Sequence, residues 1–344
     1  MPLGLHISSL SPNNNRDINQ FSWNGTQYAQ FNGTDQRIHL DMSSRPDGEV
    51  TAFMADIDPD ETDDNFFADE WSVSFWIKPT WTYKVDGTVS QAVFTNAPNH
   101  EQGESVGFMF WGDKDSRATS GHNNWIHFQY DLRSGSSFRG RLFAYHYEED
   151  GSSDDVNIEG QALHDKNSIC GLGSSSALSA AWHSGNTGNT NSDGFVHLTF
   201  VKQNNTVGTT NFKMYWNAQD LGVINYQGWD AGTVTNARET MDFIEIGFTS
   251  FGIDSGSDEN YENFGMRDLA IFQGELSSSD VSALYASGSF VDWRTINLDA
   301  GHVMKHYWPL SGHANDVVAD QPTTRGNFNK VEHGASGTLI WQNI

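Results

Sequence analysis

The stretch that decides the fold lies near the end of the chain and reads Phe264-Gly-Met-Arg-Asp-Leu-Ala-Ile-Phe272, followed by Gln-Gly-Glu-Leu-Ser and a short run ending at Leu284-Tyr285. Its apolar residues predict a buried strand: Met266, Leu269, Ile271 and Phe272. Ser277, with Asp280 three residues later, is typical of a helix N-terminus, because the hydroxyl accepts hydrogen bonds from free backbone N–H groups and the acid lies at the positive end of the helix dipole. The segment therefore predicts a buried strand followed by a short helix.

Alternation of apolar and polar residues predicts further strands earlier in the chain. The segment Trp71–Pro79 has one fully apolar side and one mixed side, which is the pattern of a strand in a two-sheet sandwich. Segments 28–31 and 37–40 flank Asn32-Gly33, and because both turn residues accept positive φ, the pattern predicts a β-hairpin. Similar patterns predict strands at 106–111, 125–132, 141–147, 195–202, 211–217 and 243–248, with a short turn at 217–220.

The composition also favours an all-β chain. The 344 residues include 13% aromatics, 33 glycines and only 8 prolines. Aromatic side chains pack well on pleated surfaces, and glycine supplies positive φ at low cost. No segment sustains a seven-residue apolar repeat, which argues against coiled coils and helix bundles. The length suffices to bury a substantial core, in one large β domain or two smaller ones.

Taken in order, these segments resemble laminin-G-like domains, which belong to the concanavalin A-like lectin/glucanase superfamily. The resemblance implies an all-β fold, an antiparallel two-sheet jelly-roll sandwich over residues 15–290, with an N-terminal arm (1–14) and a C-terminal extension (291–344). Within the extension, His306-Tyr-Trp-Pro-Leu-Ser resembles a phrase that normally opens such domains. The extension is either the vestige of a second repeat or a tail that packs on the sandwich. Such tails resemble those of structural proteins of marine bacteriophages.

The charge of the chain restricts its partners. A formal net charge of −25 disfavours nucleic acid, which is bound through Lys and Arg, and it disfavours anionic membranes for the same reason. No 18-residue apolar run is present, so no membrane insertion is expected. Cys170 is the only cysteine, which excludes an intrachain disulfide. The first residues have no basic region and no apolar core of a signal peptide. We therefore expect a protein that works inside a cell or leaves it within a virus particle, with an extracellular location as the alternative.

The carboxylates do not form a recognisable hydrolase motif. Laminarinase-type relatives present acids two residues apart on one strand, so that all face the sugar. Here Glu239, Asp242 and Glu245 are three apart, which would turn Asp242 and Glu245 to opposite faces of a regular strand. Alginate-lyase relatives use a Gln-x-His strand with Arg and Tyr partners; His127 and Gln129 stand in the reverse order, and the sequence shows no matching Tyr-rich strand. We therefore predict a chain that is not an enzyme.

Aromatic and amide residues supply the candidate sugar site. Sugar C–H faces stack on aromatic rings, and amide groups bond the hydroxyls. Trp111 and Trp125 fall at predicted strand ends, and His127 and Gln129 share one face of a predicted strand. These four residues are the candidate carbohydrate-binding set. The alternatives are core packing for the tryptophans and a plain solvent-facing side for the other two.

Acidic loops supply the candidate metal site. Asp56, Asp58, Asp60 and Asp63 lie within one loop and offer the hard oxygen ligands that Ca²⁺ prefers. A second acidic loop spans 254–259, and a solvated acidic surface is the alternative for both. His302 and His306 are four residues apart but lack helical context and further evident ligands, so no zinc site is expected.

Two hypotheses of function follow. The first is a non-catalytic virion structural protein (capsid decoration, spike or fibre) whose lectin-like domain binds host-surface carbohydrate, with calcium as its cofactor. Its partners would be other virion proteins, a cell-surface glycan and further copies of itself in a homo-oligomer. The alternative is a carbohydrate-active enzyme, a glycoside hydrolase or polysaccharide lyase, of the same superfamily. Fold alone does not choose between them.

Overall fold

The structure is a computed structural model that describes residues 23–41, 70–79, 82–84, 91–93, 105–112, 125–131, 142–147, 191–203, 210–226, 243–250, 259–314, 317–318, 330–333 and 340–344. Its strands, in chain order, are β1 (Gln27–Gln30), β2 (Gln36–Asp41), β3 (Trp71–Pro79), β4 (Thr82–Lys84), β5 (Gln91–Val93), β6 (Ser105–Gly112), β7 (Trp125–Asp131), β8 (Leu142–Tyr147), β9 (Val196–Gln203), β10 (Thr210–Trp216), β11 (Gln219–Tyr226), β12 (Phe243–Ile246), β13 (Phe248–Ser250), β14 (Glu259–Tyr261), β15 (Phe264–Gln273), β16 (Val303–Trp308), β17 (Lys330–His333) and β18 (Trp341–Asn343). The α-helix of the described part is α1 (Ser278–Tyr285).

Two large antiparallel sheets form the sandwich. Sheet A has the order β11-β10-β9-β3-β15-β1-β18, with β16 also paired to β15, and sheet B has the order β17-β2-β12-β6-β7-β8. Two smaller ladders join β13 to β14 and β4 to β5. The prediction of an all-β, two-sheet jelly-roll sandwich is confirmed. The strands predicted from alternation are present, except that the one predicted at 243–248 is divided at Gly247, which takes positive φ, into β12 and β13. The turn predicted at 217–220 joins β10 to β11, with Asn217 and Ala218 both at positive φ.

The core between the sheets is aromatic. Phe75 on β3 has its ring centroid 5.9 Å from that of Phe200 on β9 and 6.4 Å from those of Phe108 and Phe128 on sheet B. All four side chains are buried. The apolar side of the 71–79 alternation therefore faces the other sheet, as its pattern predicts.

The predicted hairpin at 28–40 is wrong, although its turn is present. The Asn32 side chain accepts hydrogen bonds from the backbone N–H groups of Thr34 and Asp35, and Gly33 takes positive φ. The flanking strands separate after this turn: β1 pairs with β15 and β18 in sheet A, whereas β2 pairs with β12 and β17 in sheet B. The Asn-Gly signal fixes a local change of direction, while long-range strand partners decide the pairing.

The outer face of sheet A, the face turned away from the core, is covered by residues 276–298, which we call the cover segment. Ser72, Ser74 and Trp76 on the mixed side of β3 are fully buried beneath it or beside it. The segment begins at the predicted N-cap, where Ser277 accepts from the Asp280 N–H and Asp280 accepts in return from the Ser277 N–H. This capping box confirms the helix start that the sequence predicts.

The described part of residues 291–344 contributes to both sheets. Strands β16 and β18 add to sheet A, and β17 adds to sheet B. The cover segment runs across position 290, the predicted end of the domain. The limits 1–14, 15–290 and 291–344 stay a prediction. Within the described residues, no helix has the length and apolar character that would let it cross a membrane.

Candidate functional site on the outer face of sheet B

A fully buried carboxylate ties two strands of sheet B together. On β12, Ile244 and Ile246 belong to the buried core, so the alternate residue Glu245 projects from the opposite side of the strand, the outer face. Its Oε1 lies 3.0 Å from Nδ1 of His39 and 3.4 Å from Nη1 of Arg37, both on β2. Glu245 is directly opposite His39 in the ladder, and its side chain is fully buried. The carboxylate is thus engaged by neighbours within the protein.

The strand register continues the cross-strand row of His39 and Glu245 across sheet B. Glu245 pairs with Phe110 on β6, Phe110 pairs with His127 on β7, and His127 pairs with Tyr145 on β8. Two residues along, Trp125 pairs with Tyr147. Because side chains alternate along a strand, positions in one cross-strand row belong to one side of the sheet. The backbone register therefore puts the positions of Glu245, His127 and Tyr145 in one cross-strand row of sheet B.

The register divides the four predicted sugar-binding residues into two groups. Trp125, His127 and Gln129 alternate along β7 with Ile126 and Phe128, and Phe128 is buried in the core. Trp111 on β6 pairs with Ile126, so its position belongs to the row of Ile126 and not to that of the other three. The set of four stays a prediction, with Trp125, His127 and Gln129 as the group that shares one side of a strand.

Tyr145 and Tyr147 were not predicted as site residues, because no Tyr-rich strand that would match His127 and Gln129 was recognised in the sequence. The segment Leu142–Tyr147 was recognisable as a strand, but which strand pairs with β7 is not visible in the sequence. Other predicted residues fall outside the described part of the chain: the calcium ligands Asp56, Asp58, Asp60 and Asp63, and the acids Glu239 and Asp242. The calcium site stays a prediction.

A second polar cluster lies at the start of the cover segment. Ligand-type atoms of Asp280, Asp299 and His302 lie within 4.8 Å of one another, a cluster that was not predicted from the sequence. That no zinc site forms here stays a prediction. Asp280 Oδ2 accepts from Ser277 and is 2.6 Å from His302 Nδ1, and Asp280 Oδ1 accepts from the Asp299 N–H. Both oxygens of Asp280 are committed to protein donors, so this arrangement is a helix cap extended by a loop. Separations of 19 and 22 residues hide such a cluster from sequence reasoning.

A third polar group is buried on the opposite side of the molecule, in sheet A. Asp268 accepts from Arg267 Nε at 2.6 Å, from Tyr307 Oη at 2.6 Å and from Trp23 Nε1 at 3.1 Å. Burial raises the pKa of Asp268, and the charge of Arg267 and the three donors partly offset that effect. The network links Trp23, at the start of the described chain, and Tyr307 on β16 to β15, and its role is structural.

Comparison with known proteins identifies no function for the chain. No protein-family model matches the chain, and no curated protein is significantly similar in sequence. Among solved structures, a heptameric SAP-like pentraxin from Limulus polyphemus is similar at 12% identity and a TM-score of 0.32, covering 84% of this chain and 95% of that one. A putative carbohydrate binding protein from Bacteroides ovatus is similar at 11% identity and a TM-score of 0.41, covering 93% and 60%. The enzymatically active domain of bacteriophage CBA120 tailspike protein 2 has 12% identity and a TM-score of 0.33, covering 71% and 27%. At these TM-scores no function follows from the similarity.

Proposed function

We propose that this chain is a non-catalytic, lectin-like virion structural protein that binds a cell-surface glycan through the outer face of sheet B. The observation that carries the proposal is the register of β6, β7 and β8. It aligns Trp125, His127 and Gln129 along one strand and sets Tyr147 and Tyr145 opposite the first two. Aromatic rings and amide groups are the residue types that stack on sugar faces and bond sugar hydroxyls.

The state of Glu245 supports a binding role over hydrolysis. A carboxylate that acts on a glycosidic bond must reach the sugar and works with a second carboxyl group across the bond. Glu245 is fully buried and held by Arg37 and His39, both of which are only about one-fifth exposed. In this position Glu245 stabilises the sheet beneath a ligand face and does not contact a ligand.

The other parts of the proposal rest on sequence features. The C-terminal extension resembles the tails of marine bacteriophage structural proteins, which favours a capsid decoration protein, spike or fibre that assembles with other virion proteins and with its own copies. The net charge of −25 keeps such particles apart through repulsion. Calcium bound by Asp56, Asp58, Asp60 and Asp63 would offset part of that charge.

A glycan array probed with the purified chain, with Ca²⁺ and again with a chelator, tests the binding role. We expect signal on a defined set of glycans that Trp125→Ala and His127→Ala reduce at least tenfold, because each removes a stacking or hydrogen-bonding group. Trp111→Ala tests the register: it should leave binding within twofold, provided that the variant stays folded. Ser282→Ala, on the exposed side of α1, is the matched control. Binding that survives both strand β7 variants would place the glycan elsewhere.

The virion role has its own test. Purified particles from the host that produces this chain should contain it, and it should sediment with them through a density gradient. Particles that contain none of it would reject the virion role while leaving glycan binding intact. Sedimentation of the isolated chain would establish whether it forms a homo-oligomer.

One observation favours a second candidate, a polysaccharide lyase. His127 and Gln129 are residue types that alginate-lyase relatives use together with Tyr, and Tyr145 is the cross-strand partner of His127. Incubation with anionic marine polysaccharides should then release unsaturated products, and Tyr145→Phe should abolish that release. A hydrolase would instead release reducing ends, and Glu245→Gln tests whether Glu245 catalyses that reaction. If this variant releases reducing ends as fast as the parent chain, Glu245 is not the catalyst.

A further inference from the structure

Three buried polar groups lie side by side on the outer face of sheet A. Arg267 on β15 is opposite Trp76 on β3, and Trp76 is opposite His197 on β9. Among the described residues, Arg267 Nη2, Trp76 Nε1 and His197 Nδ1 have no hydrogen-bond partner, and all three side chains are fully buried. Buried polar groups without partners are rare in folded proteins, and each one favours a state in which water reaches it.

The cover segment seals this row with aromatic rings. Tyr285 stacks on Trp76 and His197 at centroid distances of 5.7 and 5.9 Å, and Trp293 approaches the edge of His197 at 5.7 Å. Phe290 lies 5.2 Å from the Trp76 ring and 4.0 Å from Cζ of Arg267. These ring contacts supply no hydrogen-bond acceptor to the N–H groups of Arg267 and Trp76 and no donor to Nδ1 of the neutral His197 ring.

Few polar contacts hold the cover segment to the sheet. Ser278 Oγ lies 3.1 Å from Tyr215 Oη. The Gly288 carbonyl accepts a hydrogen bond from Asn191 Nδ2, and the Leu276 N–H donates one to Ser72 Oγ. The segment also contains Ala286 and Ser287 at positive φ, which L residues adopt at a cost. Buried packing adds to these contacts: Leu276, Val281, Leu284 and Trp293 of the segment belong to the apolar cluster against sheet A, and Tyr285 and Trp293 pack on the His197 ring.

We propose that the cover segment is an acid-released cover, and that protonation of His197 is the trigger that opens it. The Nε2 of His197 lies 2.8 Å from Ser74 Oγ. A proton added at Nδ1 would therefore place a cation among the rings of Trp76, Tyr285 and Trp293, with no carboxylate of the described residues in contact. Once the segment lifts, water would solvate that cation. Opening would also expose the apolar residues Phe195 and Tyr215 beside Trp76.

The direction of the pH effect follows from burial. Burial lowers the pKa of His197 to about 3, whereas an exposed imidazole in the open form has the ordinary value of about 6.5. The closed form therefore favours the neutral ring. The stability of the closed form relative to the open form decreases as the pH falls below about 6.5. Because the His197 ring binds a proton more tightly in the open form, the equilibrium constant for opening rises about 30-fold when the pH falls from 7.5 to 5.

Other titratable and charged groups lie on the elements packed against His197, and His302 beside Asp280 is the one that the control variant below removes. Burial raises the pKa of Tyr285, which keeps this phenol neutral. The other charged groups on the elements packed against His197 are the Arg267–Asp268 pair on β15, the Arg294–Asp292 pair beside Trp293, Lys78 on β3, Lys202 on β9, Lys213 on β10, which pairs with Asp220, and Asp280 on α1, which lies 2.6 Å from His302 Nδ1.

Hydrogen exchange of the full chain at pH 7.5 and pH 5 tests the proposal, with each rate divided by its intrinsic rate at that pH. Amides of α1, such as that of Val281, which bonds to the Ser277 carbonyl, should show an opening constant about 30-fold higher at pH 5. Amides that join β9 to β10 should change far less, and an apolar dye should bind at pH 5. If the opening constant of the α1 amides rises less than threefold between pH 7.5 and pH 5, the proposal is wrong, and the parent chain alone establishes this.

Two variants assign the effect to one residue. His197→Phe keeps a ring without a titrating nitrogen and should reduce the pH effect to less than threefold; His197→Gln, which retains a partner for Ser74, is the alternative if the ring does not fit. His302→Asn, which removes the histidine beside Asp280, is the matched control and should keep the full effect. Loss of the pH effect in His302→Asn, or its persistence in His197→Phe, would refute His197 as the trigger.

Discussion

Replacing Asp268 by Asn tests whether the buried polar network holds Trp23 and strand β16 to β15. Oδ1 of Asp268 accepts from Trp23 and Tyr307, and Oδ2 accepts from Arg267. Asn can keep the first two bonds only by turning its NH₂ group toward Arg267, where two donors would then face each other. The backbone at position 268 has φ of 48°, which Asn tolerates better than most residues, so the substitution isolates the charge.

The magnitude follows from the complete burial of the pair. Removing one partner of a buried ion pair leaves an uncompensated charge and costs about 3–5 kcal/mol of the free energy of unfolding. Asp292→Asn is the control, because the Asp292–Arg294 pair has the same 2.6 Å separation but side chains that are 21% and 23% exposed. Pairs with access to solvent contribute about 0–1 kcal/mol. Urea unfolding followed by tryptophan fluorescence measures both free energies.

The double variant refines the test. Adding Arg267→Met to Asp268→Asn removes the unpaired positive charge and leaves an apolar side chain near Trp23 and Phe290. We therefore expect the double variant to regain at least half of the free energy of unfolding that Asp268→Asn loses. A cost for Asp268→Asn no larger than that for Asp292→Asn would refute the view that this network stabilises the fold. A double variant as unstable as Asp268→Asn alone would show that the hydrogen bonds, and not the charge, dominate.

Three further predictions address the turn, the cap and the metal. Gly247→Ala should cost about 3 kcal/mol or more in urea unfolding, because position 247 has positive φ and an added Cβ would overlap the ring of Phe31; Gly301→Ala, at positive φ in open space, should cost about 1 kcal/mol. Ser277→Ala should cost about 1 kcal/mol by removing the N-cap, and a loss under 0.3 kcal/mol would count against the cap. Calcium should raise the Tm in a thermal scan, and Asp58→Asn should reduce that rise; a Tm that calcium leaves unchanged would reject the metal site.

The sequence predicts local structure well and long-range pairing poorly. The alternation in 71–79 and the Ser277–Asp280 pair depend on neighbours two to four residues apart, and the structure confirms both. The turn at Asn32-Gly33 forms for the same local reason, yet its strands enter different sheets because their partners lie far along the chain. Tyr145 comes to lie beside His127 through the same kind of distant pairing.

Burial of polar residues is the other feature that the sequence does not reveal. A histidine in an alternating strand reads as solvent-facing, and His197 is instead fully buried because a segment some ninety residues later packs over it. Glu245 is similarly hidden, since its partners Arg37 and His39 come from a strand 200 residues earlier. The candidate sites thus depend on contacts that alternation and spacing do not encode.

The two outer faces of the sandwich predict independent behaviour. The proposed glycan face lies on sheet B, whereas the cover segment lies on sheet A, with the aromatic core between them. Mutations at distant sites without shared partners act additively. His197→Phe should therefore leave glycan binding at pH 7.5 within twofold of the parent chain, and Trp125→Ala should leave the pH dependence of α1 exchange unchanged. Coupling in either direction would mean that the sheets transmit the state of one face to the other, and the core would then need to shift when the cover opens.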